Sequence, residues 1–232
     1  MAIAFDAAGA NVVDQGSSPL TFSLTVGSSA DRIIVVGVCT NDSADVITDI
    51  TRDGQSFTKL AGGVNNSAPI YTALWYLVNP NSGAANVSVA WSGTHDVAAG
   101  AAAYSGVDQI TSFGTVVEEY TTNDGSINVS SAADELVVDV TSSSANNDLI
   151  AGTGQTERYN PITSFAPTVA ASDEAGAASV TMSWTGYTAY SSNIGVALKP
   201  ASGGTPVDAD TKTAEVDFEA MIGNMVKNLV VT

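Results

Sequence analysis

Cysteine and histidine are almost missing from this chain of 232 residues, which has one of each, Cys39 and His95. A lone cysteine excludes an intrachain disulfide, and one Cys with one His cannot build a four-ligand zinc site. Cys39 closes the apolar run Ile33-Ile34-Val35-Val36-Gly37-Val38, where it reads as a small buried hydrophobe. Charge is scarce too: 13% of residues are charged, about half the usual ~25%. Positive charge is scarcest, with 7 Lys and Arg against 24 Asp and Glu and a formal net charge of -17. A chain this acidic lacks the basic footprint that phosphates demand, which argues against nucleic acid and anionic membranes as partners. Long apolar runs are absent as well. No stretch reaches the ~20 residues of a membrane helix. The N-terminus Met1-Ala2-Ile3-Ala4-Phe5-Asp6 has no basic region and no long apolar stretch, so it does not read as a secretory leader.

What remains is 44% hydrophobic and rich in Ser, Thr, Asn, Gly and Ala. That is enough apolar matter for a large core under a hydroxyl- and amide-covered surface. The organising stretch runs from Ile70 to Ser92. In its first arm Ile70, Thr72, Leu74, Tyr76 and Val78 alternate with Tyr71, Ala73, Trp75 and Leu77, a strand apolar on both faces. Its second arm alternates Val87, Val89 and Trp91 with Asn86, Ser88 and Ala90. Asn79-Pro80-Asn81-Ser82-Gly83 between them is turn chemistry, giving a β-arch or hairpin.

Further strands are expected at residues 20–26, 32–39, 46–51, 56–60, 115–120, 127–130, 135–141, 178–184 and 193–199. Asp53-Gly54 and Asn123-Asp124-Gly125 read as hairpin turns. Residues 95–105 are alanine-rich but lack a helical stripe, so a tightly packed strand is expected, with helix as the alternative. No helical crossovers separate the strands and no internal repeat stands out. The pattern predicts an all-β fold, a β-sandwich of jelly-roll kind, over residues 1–201. Residues 202–207, Ser-Gly-Gly-Thr-Pro-Val, are a linker by composition. In residues 208–232, Phe218, Met221, Ile222, Met225 and Leu229 recur at three- and four-residue spacing. This predicts a partly helical C-terminal extension whose stripe is an assembly contact, docked on its own sandwich or on a neighbouring subunit.

Catalytic patterns are missing. There is no G-x-S-x-G elbow, and one histidine assigns no triad. Glu118 with Glu119, and Asp134 with Glu135, are sequence neighbours, and neighbours in strands point to opposite faces. The chain is expected not to be an enzyme and to hold no cofactor. Asn41-Asp42-Ser43-Ala44-Asp45 and Asn146-Asn147-Asp148 are oxygen-rich loops in which a Ca²⁺ ion is one reading and ordinary turn chemistry the other. Tyr187 and Tyr190 fall in a loop between two strands, where they form a possible glycan contact or pack at a rim.

The segments A-A-Y-S-G-V-D-Q, E-L-V-V-D-V, G-T-G-Q-T-E-R-Y, A-A-S-V-T-M-S-W and I-G-V-A-L-K-P-A follow one another from Ala102 to Ala201, after W-Y-L-V-N-P-N-S-G-A-A-N-V-S-V-A-W. This order resembles a group of uncharacterised β-sandwich domains of bacteriophages and bacteria, over roughly residues 31–201. The resemblance implies a module of virion surface proteins, such as capsid decorations, spikes and tail fibres, or of bacterial surface proteins. It carries no catalytic residues. The expectation is a virion structural protein, made in the host cytoplasm, with other virion subunits and copies of itself as partners. A carbohydrate-binding or adhesive module, on a host glycan, is the alternative.

Overall fold

In a computed structural model, the structure describes residues 1–202 except 66, 123–124 and 162–166; of residues 12–15 it describes the backbone alone. The assembly stripe Phe218, Met221, Ile222, Met225 and Leu229 lies outside the described residues.

The first half of the chain runs through β1 (Ala4–Gly16), β2 (Leu20–Val26), β3 (Ile33–Thr40), β4 (Ile47–Arg52), β5 (Gln55–Ser56), β6 (Thr58–Asn65), β7 (Ile70–Val78), β8 (Gly83–Trp91) and β9 (His95–Ser105). The second half runs through β10 (Val117–Thr122), β11 (Ser126–Val129), β12 (Leu136–Ser143), β13 (Ile150–Ala151), β14 (Thr156–Tyr159), β15 (Thr168–Ala175), β16 (Val180–Thr185) and β17 (Tyr190–Leu198). The fold is all-β, and every strand pairing within its sheets is antiparallel.

Four sheets are stacked. Strand order is β2-β8-β4-β5 in the first, β1-β9-β3-β7-β6 in the second, β10-β17-β12-β15-β14 in the third and β11-β16-β13 in the fourth. The alternating β2 and β8 send Phe22, Leu24, Val87 and Val89 against Ile34, Val36, Ala99 and Ala101 of the second sheet. The opposite face of that sheet, with Ile33, Val35, Leu74 and Ala102, packs on Val138, Val140, Ala171 and Ile194 of the third. Val137 and Ala197 on the far side of the third sheet meet Ile127, Val129 and Met182 of the fourth. Among the described residues only the middle sheets are covered on both sides. This is why β3 is buried along its whole length and β9 at all but its end residues, whereas β2 alternates buried and exposed residues.

The two halves have the same topology. Reading β1-β9-β3-β7-β6 beside β10-β17-β12-β15-β14, and β2-β8-β4 beside β11-β16-β13, every strand of the first half except the two-residue β5 has its counterpart in the second. Each half is a jelly roll, and the chain is a duplicated one. Two segments carry the trace in sequence. Residues 83–94, G-A-A-N-V-S-V-A-W-S-G-T, match residues 176–187, G-A-A-S-V-T-M-S-W-T-G-Y, with Gly, Ala, Ala, Val, Trp and Gly identical. The second glycine of each, Gly93 and Gly186, takes a positive φ. Residues 26–31, V-G-S-S-A-D, likewise match residues 129–134, V-S-S-A-A-D, on the way into the third strand of each roll.

The topology decides one expectation and overturns another. The stretch around Ile70 and Ser92 is an arch, because β7 and β8 belong to different sheets. Likewise β10 and β11 do not pair with each other: each is the first or second strand of the second roll and enters a different sheet. Turn residues at 123–125 signalled a reversal, and a reversal into the facing sheet has the same local chemistry as a hairpin. Asp53-Gly54 does close a hairpin, with both residues at positive φ between paired Arg52 and Gln55.

Candidate functional site

The rolls are aligned along their strands. Thr72 Oγ1, beside the end of β3, is hydrogen-bonded to Ser142 Oγ near the end of β12. At the other end, Tyr104, paired with Ile33 at the start of β3, donates its hydroxyl to Asp173 Oδ2 at 3.0 Å, and Asp173 is paired with Val138 near the start of β12. The connections that follow β1, β3, β6 and β8 therefore share one pole with those that follow β10, β12, β14 and β16. The chain leaves the double roll at the other pole. There Ala201 O accepts from the Met1 ammonium at 2.9 Å, and Ala201 N donates to Gly106 O at 2.8 Å.

The loop pole is polar, and its side chains are engaged with one another. His95 Nδ1 lies 3.1 Å from Asp42 Oδ2. Asn41 Nδ2 donates to Asp96 Oδ2 at 2.5 Å, and its Oδ1 accepts from the Asp96 amide at 3.1 Å. Lys59 Nζ donates to Asp45 Oδ2 at 2.7 Å and to the Tyr71 hydroxyl at 3.2 Å. Burial, with Asp45 adding to it, pushes that phenol far above its ordinary range. The Asn41–Asp45 loop thus uses its oxygens on a histidine, a lysine and its own backbone. In the second roll Asn147 Oδ1 accepts from Ser143 and its Nδ2 donates to Thr188. Among the described residues no three His, Cys, Asp or Glu side chains are grouped to hold a metal. An open groove of about 330 Å³ lies beside the first loop, between Ser43, Asn65 and Pro69.

Tyr187 does not stand out from this pole. It is buried, and its hydroxyl is hydrogen-bonded to Thr141 and to Asn193 Oδ1. Its ring packs with Leu149, Ala170 and Trp184. Of the two tyrosines read as a glycan contact, Tyr187 is therefore packing, and only Tyr190, half-buried at the start of β17, reaches the surface. The preceding Gly186, at φ 93, turns Tyr187 inward.

Sequence reasoning missed the polar seam within and between the rolls. Arg158 of β14 clamps Asp173 through Nε at 2.5 Å and Nη2 at 2.7 Å, a bidentate pair, while Phe5 of β1 lies on its guanidinium 3.9 Å away. Asn65 Nδ2 reaches across to the carbonyls of Thr121 and Ser191, both at 3.0 Å. Trp184 Nε1 donates to the buried Asp139 at 2.7 Å. The partners of this seam lie far apart in sequence, so no local pattern announced it.

Comparison of the chain with protein families, with curated proteins and with solved structures finds no match.

Proposed function

We propose that this chain is a non-enzymatic structural protein of a bacteriophage virion, an accessory surface protein of capsid or tail. It assembles through residues 208–232 and displays the loop pole of its double roll. One observation carries the reading: the connections of both rolls gather at one pole, while the chain departs at Ala201 beside Met1 at the other. Attachment at one pole leaves the opposite one free for contact. The apolar stripe of Phe218, Met221, Ile222, Met225 and Leu229 supplies the attachment chemistry. Jelly rolls recur in capsid proteins and in lectins; this is an analogy of fold, which supports the reading without assigning it. The chemistry of the pole agrees with a contact surface. His95, Asn41 and Lys59 are each engaged with a carboxylate of the pole itself.

Residues 1–202 form one compact unit. A chain truncated after Ser202 is expected to stay folded and soluble, and to be missing from purified particles that incorporate the full chain. Incorporation of the truncated chain at full occupancy, read by mass spectrometry of the particles, would sink the proposal.

A further inference from the structure

The second roll holds a buried carboxyl in the middle of its third strand, at a place where the first roll has an apolar side chain. Asp139 lies mid-way along β12 and is 3% exposed. Aligned through Asp31 and Asp134, its counterpart in β3 is the fully buried Val36. The tryptophans of the matching segments differ accordingly. Trp184 Nε1 donates to Asp139 Oδ2 at 2.7 Å, whereas the buried Trp91 Nε1 has no hydrogen-bond partner. Asp139 Oδ1 accepts from both the amide and the hydroxyl of Ser172, each at 2.8 Å. One carboxyl thus ties the inner sheet of the second roll to the tryptophan of its outer sheet.

No cation faces this group among the described residues. Arg158 is committed to Asp173, which points to the opposite side of the sheet toward Tyr104. The other titratable neighbours are Asp173 on β15 and Tyr159 on β14. From β16 and β15 come only neutral donors, Trp184 and Ser172. Burial pushes the Asp139 carboxyl up, to about 6, and Asp173 adds to it, while the three donated hydrogen bonds oppose the rise. The site can also house the proton without moving heavy atoms. Ser172 Oγ already accepts from Gln155 Nε2 at 2.7 Å; if its hydroxyl hydrogen turns away, the second lone pair can accept from a protonated Oδ1, leaving Oδ2 to accept from Trp184.

We propose that Asp139 makes the seam between the two sheets of the second roll proton-sensitive, tight when the carboxyl is neutral and weakened when it is ionised, while the corresponding seam of the first roll, with Val36 in that place, carries no such group. The sign follows from the site itself: a carboxyl buried with no cation facing it among the described residues is penalised in its charged form. The folded chain holds the proton more firmly than the unfolded one, so the gain is complete below the ordinary carboxyl range near 4 and is lost as pH rises through about 6.

The test is a titration of the full chain by NMR from pH 4 to 8, with aspartate carboxyl carbons and tryptophan indole nitrogens labelled. One carboxyl resonance and the Trp184 indole N–H are expected to move together with a midpoint near 6, while the Trp91 indole stays still. Histidine side chains titrate in the same window, so the step must survive His95→Gln; its loss there would overturn the proposal. It must vanish in Asp139→Asn and Asp139→Leu. Should neither variant fold, the wild-type and His95→Gln titrations decide alone: a Trp184 indole that does not move between pH 5 and 7 refutes the idea.

Discussion

Gly37 and Tyr159 meet across the plane where the two rolls join. The Gly37 amide donates to the Tyr159 hydroxyl at 3.2 Å, and a Cβ on Gly37 would stand 2.6 Å from that oxygen and closer still to Val140. Gly100, paired with Gly37 in the sheet, lies under the same ring, where a Cβ would come within 2.7 Å of Tyr159 Cγ. Two glycines side by side thus make the flat patch on which an aromatic ring of the other roll rests.

Gly100→Ala should therefore push the rolls apart. Overpacking of this kind costs about 1–3 kcal/mol, and the loss is expected in the midpoint of urea unfolding. Tyr159→Leu in the same background should recover part of it, because a smaller side chain relieves the clash. Full stability of Gly100→Ala would show that the rolls do not press together here.

Asp173→Asn should be costlier than its size suggests. It removes the bidentate acceptor of Arg158 and the acceptor of Tyr104 at a site 3% exposed. Leaving a guanidinium half-buried without its partner costs on the order of 3 kcal/mol. Thermal unfolding should fall accordingly, while Asp31→Asn, on the surface of the first roll, should change little.

Arg52 is 1% exposed and is held by backbone carbonyls alone: Leu24 O at 3.2 Å, Asn81 O at 2.8 Å and Gly83 O at 2.6 Å. It fastens the arch between β7 and β8 to the end of β2. Arg52→Met should lose about 3 kcal/mol, since three carbonyls lose a charged donor. Arg52→Lys should rescue it poorly, for an ammonium cannot span three acceptors as a planar fork does.

Cys39 is fully buried, and burial pushes its thiol up to about 12. Thiolate is the reactive form, so at pH 8 the folded protein should resist alkylation. Labelling should proceed at the rate of global opening and accelerate in Gly100→Ala. Rapid modification of the native chain would contradict the burial.

Strands were legible where one side chain in two is apolar, as in β2 and β8, and where the run is apolar up to its last residue, as in β3. The duplication was not. Its halves retain the arch exit and the tryptophan strand, 83–94 and 176–187, but differ in the lengths of the joining loops and in β12, where Asp139 and Thr141 replace the apolar pattern of β3. Tyr187 misled for a related reason. Its neighbours Thr185, Gly186 and Thr188 have loop composition, yet its ring is claimed by an interior that is polar at this end, with Thr141 and Asn193 as partners. Buried hydroxyl and amide partners look the same in sequence as surface ones.

The shared orientation of the rolls has a consequence for how the molecule can change. Eight residues of β3 separate the loop pole from the pole where Ala201 leaves, roughly 25 Å at strand rise. Substitutions that far apart add without coupling. Residues 41–46 can therefore be exchanged, lengthened or recharged at no cost to the exit beside Met1. The geometry allows the loop pole to vary without disturbing the exit.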